Sequence, residues 1–160
     1  MKIKGLIDED FVNYKKVSMF IALGSCDWKC CVEANIPITV CQNCDLAKSK
    51  DIEISYQEIF DRYKQNLISE SVVIGGLEPA TQKDDIYNLI KLFRDNGCND
   101  TFVIYTGYYP DEIHEWINNL KQFRNIIFKF GRYKPNNNKH YDNVLGINLI
   151  SDNQYGLEIS

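Results

Sequence analysis

Between Ser71 and Gly131 the chain repeats one pattern: a short β-branched run, an amphipathic segment, and another β-branched run. "SVVIGG" (71–76), "TFVIYTG" (101–107) and "NIIFKFG" (125–131) read as strands, because branched and aromatic side chains suit a pleated, buried surface. Between them, "TQKDDIYNLIKLFRDNG" sets Ile86, Leu89, Ile90 and Phe93 on one helical stripe. Thr81 and Asp84 have the spacing of a capping box, and Gly97 suits a C-terminal cap. "PDEIHEWINNL" (110–120) predicts a helix with Pro110 at its first position. Upstream, "VSMFIAL" (17–23) reads as a buried strand after an N-terminal lead, and "SYQEIFDRYKQNL" (55–67) as a helix opened by Ser55 and Glu58. Downstream, "YKPNNNKHYDN" (133–143) reads as a mobile surface loop and "NVLGINLI" (143–150) as a fifth strand. Strands alternating with amphipathic helices imply βαβ units. The expected fold is therefore α/β, with a mainly parallel sheet and helices on the outside, in one domain over residues 1–160. Reactive groups in such folds sit beyond the carboxyl ends of the strands. The loops that follow the strands should thus converge on one edge.

Net charge is −4, with acidic and basic residues mixed along the chain. That gives no basic footprint for nucleic acid. The opening "MKIKGLIDEDF" has no apolar signal core, and no apolar run approaches the length of a membrane span. A cytoplasmic protein with no membrane partner is expected, and thiols in that compartment stay reduced.

Five of the six cysteines nevertheless crowd into "CDWKCCVEANIPITVCQNC", residues 26–44. Clustered cysteines under reducing conditions point to metal binding or redox chemistry rather than to a disulfide staple. Cys98, near a helix end, reads as an inert buried residue, and Cys31, adjoining Cys30, as a spectator. Cys26, Cys30, Cys41 and Cys44 remain as candidate ligands. Four thiolates could form a tetrahedral zinc site in a non-catalytic binding module, or thiolates could hold an iron–sulfur cluster. Neither His114 nor His140 has a motif partner, and Trp28 reads as a shield between two ligand cysteines.

"CDWKC" after a strand resembles the opening of the radical S-adenosylmethionine motif, C-x3-C-x2-C. Here Cys26-x3-Cys30 is followed by Cys41-Gln42-Asn43, with eight residues inserted before the third cysteine. Cys26, Cys30 and Cys41 keep both flanking signatures and form the favoured set. The alternative, Cys26-x14-Cys41-x2-Cys44, resembles the expanded motif of some 7-carboxy-7-deazaguanine synthases. "GGLEP" (75–79) resembles the family's "GGEP" motif with Leu77 inserted, and "YTGY" (105–108) resembles the "WTGY" of the small anaerobic ribonucleotide reductase activating proteins. "FKFGRY" and "SDNQ" resemble segments that close those proteins.

The resemblance implies a short partial (βα) barrel and a 4Fe-4S cluster held by three thiolates. S-adenosylmethionine would be bound by Gly75, Gly76, Glu78, Thr106, Gly107 and Lys129. It implies an oxidoreductase that makes a 5′-deoxyadenosyl radical with no side chain as catalytic acid or base. A glycyl-radical enzyme, such as an anaerobic ribonucleotide reductase, would be its partner, and a flavodoxin or ferredoxin its electron donor. The deazaguanine-type likeness implies a small-molecule substrate instead.

Overall fold

The structure is a computed structural model and describes residues 1–160. Nine strands are interleaved with five α-helices. The strands are β1 (Lys2–Asp10), β2 (Ser18–Leu23), β3 (Ile52–Glu53), β4 (Ser71–Gly76), β5 (Thr101–Tyr105), β6 (Ile126–Phe130), β7 (His140–Asp142), β8 (Ile147–Leu149) and β9 (Tyr155–Glu158). The helices are α1 (Lys29–Ala34), α2 (Cys44–Lys48), α3 (Tyr56–Gln65), α4 (Lys83–Asp95) and α5 (His114–Leu120). Seven strands form one sheet in the order β3-β1-β2-β4-β5-β6-β9. Its centre, β2-β4-β5-β6, is parallel, while β1, β3 and β9 add antiparallel pairs outside it. The central strands start in step, Ser18 beside Ser71 and Ser71 beside Thr101. Their carboxyl ends therefore finish along one edge.

Strand alternation divides the two faces. Met19, Ile21, Val72, Ile74, Phe102, Ile104, Phe128 and Phe130 join the inward faces of α3, α4 and α5 in the main core. Phe93 of α4 is fully buried there, its ring centroid 4.9 Å from Phe60 and 5.0 Å from Phe102. The opposite face carries a smaller cluster of Tyr14, Val73, Val103, Ile127, Leu145 and Leu149, with no α-helix of the βαβ units over it. No helix is long and apolar enough to cross a membrane.

Helix α3 has the expected capping box, Ser55 Oγ accepting from Glu58 N and the Glu58 carboxylate from Ser55 N. Elsewhere the structure corrects the expected elements. The N-terminal lead is a nine-residue strand, β1, paired with β2; its alternation is broken by register shifts between Ile3 and Gly5 and between Ile7 and Asp10. Thr81 does not cap α4. Its hydroxyl donates to Glu78 O at 2.8 Å within a 3-10 turn, Pro79–Gln82, and α4 starts after Gln82. The helix expected over 110–120 is a 3-10 turn, Pro110–Glu112, followed by α5. Residues 143–150 do not add a strand to the sheet. Their Ile147–Leu149 portion pairs with His140–Asp142 of the supposed loop, and β9 supplies the last strand of the sheet. Asp142 fixes that hairpin by accepting from Leu145 N and Gly156 N, both at 2.8 Å.

Candidate metal centre

On the face away from α3–α5, at the carboxyl edge of the parallel strands, lies a cavity of about 600 Å³. Phe20, Ala22, Tyr105 and Lys129 reach it because they alternate with core residues on their strands. The loops after β2, β4 and β5 meet there, as expected, and residues of β1, the loop after it, the segment after β6, and β8 with the segment that follows it complete the wall. Hydrogen bonds join the loops: Glu78 N donates to Ser25 O at 2.9 Å, and Asn43 Nδ2 to Gly76 O at 2.5 Å.

Cys26, Cys30, Cys31 and Cys41 line this cavity, and Cys44 does not. The Cys44 thiol turns outward to Thr39 O at 3.6 Å and Asp45 Oδ1 at 3.7 Å. Trp28, left-handed at φ 60°, turns the chain into α1, and its N–H donates to Cys26 Sγ at 3.3 Å. Asn43 N does the same for Cys41 Sγ at 3.5 Å. Burial pushes the Cys26 thiol up to about 12 and raises that of Cys30. These sulfurs hold their protons until a metal displaces them.

Glu78 is 7% exposed. Its Oε1 accepts from Ala80 N at 2.9 Å and Thr106 Oγ1 at 2.6 Å, and its Oε2 from Gly107 N at 2.8 Å. Burial raises its pKa while those donors pull it down, and Oε2 keeps a lone pair for one more donor. Lys129 is equally buried, with Nζ donating to Gly131 O at 3.3 Å. Burial lowers the Lys129 pKa to about 8.

Gly76, Glu78, Thr106, Gly107 and Lys129 thus share the cavity with three of the four expected ligands. Gly75 stands back from the wall, wedged where a Cβ would meet Phe20 at 3.3 Å and Tyr105 at 3.4 Å. Gly76, at φ +77°, admits no Cβ, since one would lie 2.9 Å from Ala22. Cys31, expected to be a spectator, is part of the wall, and burial raises the pKa of its thiol. Gln154, the last residue of "SDNQ", also faces the cavity; its Nε2 donates to Gly131 O, while its buried Oε1 has no partner. Neither histidine lines it.

No three His, Cys, Asp or Glu side chains are gathered as tightly as one metal ion requires. A 4Fe-4S cluster binds each thiolate to a different iron. It therefore asks for soft sulfur donors spread around a cavity, and the sulfurs of Cys26, Cys30 and Cys41 suit that donor set.

A family model described as a 4Fe-4S single cluster domain matches residues 15–151. A protein of Methanocaldococcus jannaschii, provisionally named a glycyl-radical enzyme activating enzyme, is 27% identical over 118 residues, 73% of this chain. The matched region spans 45% of that relative's length.

Proposed function

The chain belongs to the 4Fe-4S single cluster domain family, and from that premise we propose that it is a radical S-adenosylmethionine enzyme activating a glycyl-radical enzyme. In this reading Cys26, Cys30 and Cys41 hold the cluster, and the open sheet with helices on one face is a short partial barrel. The observation that carries the reading is the meeting of those thiols with buried Glu78 and Lys129 around one cavity. The cluster, when bound, supplies the electron that splits S-adenosylmethionine into methionine and a 5′-deoxyadenosyl radical. The protein orients the reactants and excludes water. Glu78 Oε2 accepts from the ammonium of the methionine portion, and Lys129 Nζ donates to its carboxylate. Thr106 and Gly107 present their loop to the ribose, and Gly76 lets the chain approach closely.

The relative's name supports a glycyl-radical enzyme as partner, with an anaerobic ribonucleotide reductase as the expected kind. A flavodoxin or ferredoxin would bring the electron in the cytoplasm. The deazaguanine-type reading needs Cys44 as a ligand, and the outward turn of its thiol weighs against it.

The test is the electron paramagnetic resonance spectrum of anaerobically reconstituted, dithionite-reduced protein. A 4Fe-4S signal that shifts on adding S-adenosylmethionine is expected. A cluster indifferent to it refutes the cofactor assignment, and stoichiometric zinc without iron would favour a binding module. Anaerobic pull-down should recover a glycyl-radical enzyme, and recovering none counts against the partner.

A further inference from the structure

Arg132, just past β6, is 5% exposed yet lies outside the cavity wall. Its Nη1 donates to Gly107 O at 3.0 Å and Glu112 Oε2 at 2.7 Å. Its Nη2 donates to Glu112 Oε1 at 2.6 Å and Glu33 Oε1 at 2.9 Å, and Nε lies 2.5 Å from Glu33 Oε2. The rings of Tyr109 and Tyr108 flank the guanidinium at 4.9 and 5.6 Å. Lys29 joins from the other side, its Nζ 2.5 Å from Glu112 Oε1.

Glu33 and Lys29 both belong to α1, the helix that carries Cys30 and Cys31. That helix has six residues and no side-chain cap, too short to persist without tertiary contacts. Tyr133, the residue after Arg132, lines the cavity together with Cys30. Residues that orient a metal ligand also tune the metal it holds.

We propose that Arg132 is a positioning residue for Cys30. Its paired guanidinium ties α1, and with it Cys30, to the carboxyl edge of the sheet. The tether stands on contacts within the protein, and its effect on metal rests on the cluster reading. Without the guanidinium, Glu33 keeps only Lys29 of its own helix, at 4.0 Å, and of these charge pairs only Lys29–Glu112 still ties α1 to the neighbouring turn.

The test has two readouts. In reduced, metal-free protein, iodoacetamide labelling of each cysteine is followed by peptide mass spectrometry. Arg132→Ala should speed labelling of Cys30 and Cys31 about tenfold or more, with Cys98, buried against Asp100, unchanged. Glu33→Gln should reproduce the effect through the half-exposed partner, and Arg132→Lys should restore part of the protection. Arg62→Ala, which breaks an exposed pair with Asp8, should do nothing. Should Arg132→Ala lose its fold, Glu33→Gln carries the comparison. In reconstituted protein, a chelator should strip iron about tenfold faster from Arg132→Ala and Glu33→Gln than from wild type, again with partial rescue by Lys. Unchanged labelling of Cys30 and Cys31 in a folded Glu33→Gln variant overturns the tether. Wild-type protein that takes up no iron and sulfide sinks the cluster reading instead, and the labelling result still decides the tether.

Discussion

Replacing Gly107 by alanine isolates the geometry of one sulfur. A Cβ built there lies 2.8 Å from Cys30 Sγ and 3.4 Å from Glu78 Oε2. Comfortable contact between heavy atoms starts near about 3.5 Å, so the sulfur must retreat by roughly 0.7 Å. The backbone at Gly107 is not in the left-handed region, so no conformational strain is added. The sulfur borders a cavity and has room to swing, which keeps the stability cost at the low end of overpacking, about 1 kcal/mol. For a chain of this size that is a fall in Tm of roughly 2–4 °C. A metal-binding constellation tolerates displacements of only about 0.5 Å, so the damage should fall on iron binding. Iron per chain after anaerobic reconstitution, measured beside a thermal melt, reads both quantities. The comparison is Gly97→Ala, where a Cβ meets nothing but φ is +76°; it should cost about 1–2 kcal/mol from the left-handed backbone and leave iron binding intact. Full iron content and an unaltered spectrum in Gly107→Ala would refute the apposition of Gly107 and Cys30.

Cys44→Ser should keep its cluster whereas Cys26→Ser, Cys30→Ser and Cys41→Ser should not, read by iron and sulfide analysis; loss in Cys44→Ser alone would reverse the ligand set. Glu78→Gln removes the carboxylate charge that three loop donors address and should weaken S-adenosylmethionine binding at least about tenfold, measured by calorimetry on reconstituted protein, with equal affinity counting against the assignment. Phe93→Ala should destabilise the fold by about 3–5 kcal/mol in urea unfolding, since the ring is fully buried between Phe60, Tyr63 and Phe102. The Arg132 hydrogen bonds hold the Glu112 carboxyl down at about 2, against an ordinary value of 4.5. A depressed carboxyl pKa stabilises the fold above 4.5, and that contribution is lost as pH falls toward 2; wild type should therefore lose more stability over this interval than Glu112→Gln, and parallel acid titrations by circular dichroism would refute it.

The strands from Ser18 to Phe130 and the helix stripe of α4 are legible in sequence because burial on one face enforces a period that any window can detect. The capping box of α3 is legible because Ser55 and Glu58 satisfy each other locally. Thr81 and Asp84 have a similar spacing, yet Thr81 turns to Glu78 and Ser25, a choice made by the neighbouring loop. Strand β1 was hidden because register shifts break its alternation, and the β7–β8 hairpin because its strands have three residues each and pair only with one another.

Residue type and spacing alone determined that thiols crowd one loop, that two further loops follow parallel strands, and that all three must reach one edge. Only the tertiary structure decided which thiols face inward. Cys41 and Cys44 are separated by two residues and look alike in sequence, but α2 begins at Cys44 and carries its thiol away. Cys31, set aside for its adjacency to Cys30, enters the wall because it is the buried residue of α1. The orientation of α1 is set by Arg132, about a hundred residues away, through Glu33 and Glu112. Spacing fixes which residues share a loop, and long-range pairing of charge and packing fixes the direction in which that loop points.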